Sequence, residues 1–426
     1  IPSRIAQHPE LVEGSLRYAC EESAFRGKEP DLQFAAEELN TRIDALERHL
    51  KDNGIDLAVL SQNSDIFYYS GSLQPLYVVV PAQGDAFVLA RKGLTRINTE
   101  VYHIPIEPFS GGKDLAAIFA RRGLTDASKV GLTLDTISYA SATRLQKLFP
   151  SARLQDIAWD IRLLRIVKSE SEIAIQRHAG EIQAKVPEIV RSTLEPGMTE
   201  LELSGILESY FRLNGHGVLV PCRREGIDTV PFGVCSSGAN SLAGTKFDGI
   251  CGGSGLSAGT PYGASRDVIA EGVPIILDFG FNLEGYIVDQ TRMASIGQPS
   301  DEVMEAYNAM VQIEREIITL LRPGTSWETA YNRSIEMANE MGYADTFMGV
   351  GTERVKFVGH GVGTELDEPP YLAPDMTDEL AAGMVVAIEP KVALPGIGVI
   401  GTEDTLVIRD NGVEMITTAD PGFIIV

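Results

Sequence analysis

The sequence has 426 residues, more than one hydrophobic core usually fills, so two domains are expected. A formal net charge of −23 argues against binding to nucleic-acid phosphates or to an anionic membrane surface. No stretch is long and apolar enough to span a bilayer.

Residues 1–35 read as a polar, irregular N-terminal arm. The opening "IPSRIAQHPELVEG" lacks the basic-then-apolar order of a secretory signal. Cys20, Cys222, Cys235 and Cys251 show no paired spacing, and a reducing cytoplasmic setting is expected. A small α/β domain follows over 36–163. Its first helix, "TRIDALERHLKDNG", spaces Ile43, Leu46 and Leu50 along one face and stops at Gly54. "IDLAVLS", "LYVVV" and "AFVLA" read as strands, the last two joined by the turn "PAQGD". "GKDLAAIFARRGL" is a further helix and "KVGLTLD" a further strand.

The second domain, 164–426, has a different texture. "SESEIAIQRHAGEIQAKVPEIVRSTL" predicts one long helix, and the next helix opens with Thr199 and Glu202 in capping-box spacing. Strand-like segments run to about residue 296. Then "DEVMEAYNAMVQIEREIITLL" predicts another long helix, followed by a second helix and more strands. "LEPGMTELE" at 194–202 and "LRPGTSWET" at 321–329 hold equivalent places, which points to a duplicated half-domain around a shared centre.

Five acid or imidazole positions sit among apolar or glycine neighbours in this domain. Asp278 and Asp289 interrupt the strands of "ILDFGFNLEGYIVDQTRM". His360 lies in "FVGHGVGTELDEPP", Glu389 in "MVVAIEPKVAL" and Glu403 in "IGVIGTEDTLVI". A carboxylate inside an apolar strand is costly without a partner. Taken singly, each carboxylate reads as a turn cap or an arginine partner, and the histidine as a surface or packed residue. Together, two Asp, two Glu and one His suit two divalent ions (Mn, Fe, Co or Zn) sharing bridging carboxylates. Asp278 and Asp289 are then expected to face each other across a hairpin.

The order and spacing of these residues resemble the creatinase, prolidase and methionine aminopeptidase family, the pita-bread metallopeptidases. That pattern is Asp, Asp eleven residues on, His between glycines, then two Glu fourteen apart. "GIDLAVLSQNSDIFYYSGS" and "LLRIVKSESEIAIQRHA" resemble the N-terminal domain and interdomain junction of creatinases and prolidases. The resemblance covers about residues 40–426. It implies an α/β N-terminal domain, an α+β pita-bread catalytic domain, and hydrolysis of a C–N bond by a water activated between two metal ions. Asp278, Asp289, His360, Glu389 and Glu403 would be the ligands, with Glu389 also the base. It further implies a small-molecule or short-peptide substrate, a prolidase or Xaa-Pro aminopeptidase-like branch, and a homodimer.

Three departures stand beside the match. The family's Pro-His-Gly element corresponds to Pro261-Tyr262-Gly263, inside a glycine-rich insertion. The second family histidine corresponds to Asp367, followed by Glu368. An arginine two residues before the last Glu is replaced by Gly401. Tyr262 could donate a hydrogen bond in place of the imidazole. Asp367 either recruits a cationic substrate group or caps a loop before "EPP". His216, in "NGHGVLVP", either lines the cleft or sits in a solvated turn. Alternatives to a Xaa-Pro peptidase are hydrolysis of a small amide or cyclic amidine, as in the creatinase and ectoine-hydrolase branches, a dimethylsulfoniopropionate-type lyase, and a non-catalytic binding module. The lyase branch carries an Asp where this chain has Gly280.

Overall fold

The computed structural model describes residues 34–426, so nearly all of the expected N-terminal arm lies outside the described residues. The described chain divides into two compact units between Ile166 and Val167.

The first unit is built on a six-stranded sheet. Its spatial order is Ile106–Pro108, Phe87–Ala90, Tyr77–Pro81, Leu57–Leu60, Lys129–Leu132, Arg153–Asp156. The central strands are apolar at every position because both faces are covered, which suppresses the alternation of a half-exposed sheet. Ala58, Leu60, Val78 and Val80 pack on one face with Ile43, Leu46 and Leu50 of helix Ala36–Asp52. Leu57, Val59, Val79 and Phe87 pack on the other with Leu115, Ile118 and Phe119 of helix Gly112–Arg121. Each such buried side chain contributes about 1.5–3 kcal/mol as an upper bound.

In the second unit, the long helix expected from Ser169 is two helices, Glu170–Gln183 and Val186–Thr193. Pro187 explains the break, since its ring clashes with the carbonyl four residues earlier and it lacks an N–H. The capping box at Thr199 forms as expected and opens helix Glu200–Leu213. The second run gives Asp301–Leu320 and Trp327–Glu340; here Ser326 makes no side-chain cap bond. Helix, Pro-Gly turn, helix and strands thus occur twice.

The strands form two main sheets. One runs Ile424–Ile425, Tyr286–Ser295, Ile275–Leu283, Gly233–Ser237, and the other Glu368–Tyr371, Gly359–Gly361, Val385–Ile388, Asp404–Arg409, Gly412–Met415. An antiparallel bridge between Thr291 and Glu403 joins them, and a hairpin of Lys391–Leu394 with Gly398–Gly401 lies beside the junction. Among the described residues no helix is long and apolar enough to cross a membrane.

Candidate metal centre

The hairpin Ile275–Leu283/Tyr286–Ser295 turns through Glu284 and Gly285, both with positive φ (51° and 86°). That two-residue turn fixes the register: Asp278 pairs with Thr291 and Asp289 with Gly280. The two aspartates therefore share a face but stand diagonally, not directly opposite as expected. Diagonal neighbours are roughly 7–8 Å apart at Cα, which leaves room for a cation between their carboxylates. The Asp289 backbone is strapped by Thr405, whose hydroxyl accepts from the Asp289 N–H at 3.0 Å and donates to its carbonyl at 2.8 Å.

His360 lies mid-strand in Gly359–Gly361, Glu389 follows strand Val385–Ile388, and Glu403 precedes strand Asp404–Arg409. His360 Nδ1 sits 3.2 Å from the Gly361 carbonyl, which leaves Nε2 facing Glu389 Oε1 at 3.5 Å. Thr291 donates to Glu403 Oε2 at 2.7 Å, and Arg292 donates to the Glu403 carbonyl at 2.9 Å while pairing with Asp404. Asp289, His360 and Glu403 each offer a ligand atom within 4.8 Å of the others. All three are buried, and Glu403 Oε1 has no hydrogen-bond partner among the described residues. A buried, unpartnered carboxylate oxygen beside an imidazole and a second carboxylate is what a divalent ion would satisfy, so these residues fit a metal.

The electrostatics agree. Burial and the neighbouring Asp278 push the Asp289 carboxyl up to about 7. Burial and Asp289 push Glu403 well above the usual carboxylate range. Burial would lower His360, but Glu389, Asp367 and Asp289 outweigh it and raise it to about 10. Burial would likewise raise Glu389, yet Lys391 and His360 outweigh it and bring it to about 2. Without metal the cluster holds protons where a cation would otherwise sit.

Two members were not expected. Lys391 is 1% exposed, and its ammonium lies 2.7 Å from Glu389 Oε2, 2.9 Å from Glu403 Oε2 and 3.2 Å from Asp278 Oδ2. It stands opposite Gly401, where a Cβ would come within 2.4 Å of Lys391 Cγ. Cys251, from the glycine-rich insertion, donates its thiol to Asp278 Oδ2 at 3.0 Å, and burial holds that thiol well above its ordinary value. The signal for Lys391 was its two-residue offset from Glu389, which places both on one face of an extended segment. Cys251 carried no such signal.

The insertion is anchored by Glu200, whose carboxylate accepts from Ser237 Oγ at 2.8 Å, Asn240 at 2.8 Å and the Ser265 N–H at 2.9 Å. Gly255, at φ 61°, lets the chain double back on Thr260 and Tyr262; a Cβ there would meet Thr260 O at 2.0 Å. Tyr262 is thereby brought to the site. Burial and Asp278 push its hydroxyl well above the ordinary value, so it stays protonated and can donate. Asp278, Asp289, His360, Glu389, Glu403, Tyr262 and Asp367 all line one cavity.

Asp367 is paired with Arg224 through one carboxylate oxygen, while its Oδ1 has no hydrogen-bond partner among the described residues. Arg224 donates to its Oδ2 from both Nε, at 2.8 Å, and Nη2. Sequence reasoning did not single out Arg224. His216 is neither cleft-lining nor solvated. It is 3% exposed, accepts the Asn282 N–H at 3.0 Å and packs on Phe232 and Phe281.

Comparison with known proteins follows the same division. Residues 174–410 match metallopeptidase family M24, and residues 42–167 match the creatinase/prolidase N-terminal domain. The chain belongs to metallopeptidase family M24. It is similar to an uncharacterized peptidase of Bacillus subtilis, 26% identical over 388 residues, covering 90% of this chain and 99% of that one. A Xaa-Pro dipeptidase of Pyrococcus furiosus is 25% identical over 387 residues, with coverage of 90% and 99%. Among solved structures, a Xaa-Pro dipeptidase from Bacillus anthracis superposes with a TM-score of 0.77 at 25% identity, covering 91% of this chain and all of that one. The Pyrococcus horikoshii prolidase gives 0.74 at 24% identity, covering 89% and 99%. The M24 chain is thus a metallohydrolase-family enzyme with a creatinase-type N-terminal domain and a pita-bread catalytic domain.

Proposed function

We propose that this M24 enzyme hydrolyses the C–N bond of a short peptide, with Xaa-Pro dipeptides as the substrate class. The observation that carries this reading is the single cavity wall shared by the five candidate ligands, Tyr262 and Asp367. The dipeptidase relatives, matched over nearly their whole length, supply the substrate class. A divalent ion held by Asp289, His360 and Glu403 would supply Lewis acidity toward the scissile carbonyl and toward water.

The remaining work falls to the chain's own side chains. Glu389, kept ionised by Lys391 and His360, accepts the proton of the attacking water and passes it to the leaving nitrogen. Tyr262, kept protonated, donates to the carbonyl oxygen as negative charge develops there. Arg224 holds Asp367 in place on the cavity wall. Free, buried Cys222, Cys235 and Cys251 support the cytoplasmic setting.

The test is turnover of a Xaa-Pro dipeptide by metal-loaded wild type and Glu389→Gln, with metal content measured on both. The swap is nearly isosteric, so fold is retained while kcat falls about 10²–10⁴-fold, because an amide cannot take the proton. Wild-type kcat in a variant that keeps its metal would remove Glu389 from the mechanism. No turnover of any Xaa-Pro dipeptide by the loaded wild type would overturn the substrate class.

A further inference from the structure

We propose that the Lys391 ammonium takes the place of one of the two metal ions expected at this centre, leaving one divalent-ion position among Asp289, His360 and Glu403. The inference rests on the metal-dependent reading above and narrows it.

Two groups of donor atoms stand side by side. Lys391 Nζ takes Asp278 Oδ2, Glu389 Oε2 and Glu403 Oε2, all within 3.2 Å. What it leaves includes the Asp289 carboxylate, the His360 ring, Glu389 Oε1 at 3.5 Å from His360 Nε2, and Glu403 Oε1, which has no hydrogen-bond partner among the described residues. Asp289, His360 and Glu403 are also the three residues whose ligand atoms cluster within 4.8 Å. An ammonium that merely backed one ligand from behind would touch one carboxylate. This one touches three, from within the cluster.

The lysine has no other place to go. Its strand is paired with Gly398–Gly401, its backbone carbonyl accepts the Met348 N–H at 2.9 Å, and the side chain is 1% exposed. Swinging Nζ off the carboxylates would bury an unpaired charge. Its stem occupies space that only glycine at 401 leaves open. A second divalent ion in the space the lysine fills would lie directly against the ammonium.

The experiment loads the full-length protein with Mn(II), removes free ion by gel filtration, and reads metal content and electron paramagnetic resonance. Wild type should hold about one Mn(II) per chain, with the six-line signal of an isolated ion. Lys391→Gly should hold about two, with an exchange-coupled signal. Two coupled ions in wild type would overturn the proposal and leave the metal-dependent reading standing. No ion in wild type would overturn both. One ion in wild type and only one in a folded Lys391→Gly would also overturn it, because the lysine would then not be what excludes the second. If Lys391→Gly does not fold, the wild-type count decides alone.

Discussion

The two units bury charge on different terms. In the N-terminal unit, Arg165 and Asp65 are almost fully buried and form an ion pair at 2.8 Å. In the catalytic unit, four carboxylates converge on a single lysine and a histidine, and one carboxylate oxygen is left without a partner. A balanced pair can be part of a stable core. A surplus of like charge is costly, and protons or a cation must offset it. The contrast is between charge balanced within the chain and charge that needs an added proton or ion.

The largest effect that would break this contrast lies in the N-terminal unit. Arg165→Leu should destabilise the protein by about 3–5 kcal/mol, because the buried Asp65 carboxylate loses its guanidinium. Metal content of the folded fraction should not change. Chemical denaturation with elemental analysis on the same samples checks both halves, and a loss of metal would mean that the two kinds of buried charge are not independent.

Metal removal comes next in size. At a hundred times its dissociation constant, an ion bound only by the folded state stabilises by about 2.7 kcal/mol. Asp289→Ala should abolish that increment while leaving the metal-free protein as stable as metal-free wild type, or more so, since it relieves repulsion with Asp278. Thermal melts with and without added ion distinguish the cases. A metal-free variant clearly less stable than metal-free wild type would place Asp289 among the structural charges.

A pH series sharpens the same point. Asp289, raised to about 7, holds a proton in the folded state that the unfolded chain releases near its ordinary value. His360, raised to about 10, does the same across its own range. For both, the folded state binds more protons, so each contributes stability that is lost as pH rises through the folded value. The metal-free enzyme should therefore lose stability from pH 5 to pH 8, by up to about 1.4 kcal/mol per pH unit for each group that differs. Asp289→Asn should flatten the slope, and added metal should reverse it, because the ion displaces those protons. A metal-free melting profile that rises over this range would contradict the assignment.

The smallest effect concerns the cavity rim. Arg224→Gln should free the negative charge of Asp367 and shift the substrate profile toward cationic peptides by a few-fold, without changing metal content. An unchanged profile would make the pair a loop fastening.

Much of the candidate site was legible in the sequence because burying an acid is abnormal. An aspartate inside "IILDFG" or a glutamate after "VVAI" stands out against its apolar neighbours, and the family spacing tied five such positions together. Tyr262 was legible through the Pro-x-Gly element. The diagonal placement of Asp278 and Asp289 was not, because register is set by the Glu284–Gly285 turn and not by the acids themselves. Lys391 and Arg224 were missed for the opposite reason to the acids. Lysine and arginine beside strands usually reach solvent, so the two-residue offset of Lys391 from Glu389 is a weak signal and nothing local marks Arg224. In the fold, alternation and capping signals located most of the long elements, whereas the break before Pro187 was overridden by an apolar pattern that continued across it.

The glycine at 401 also limits what this hairpin can carry. A Cβ there would come within 2.4 Å of the lysine stem and 2.6 Å of the Pro390 carbonyl oxygen. Any side chain at 401 would have to displace both the lysine and the backbone beside Glu389, so the position that admits the lysine also holds in place the carboxylate it contacts.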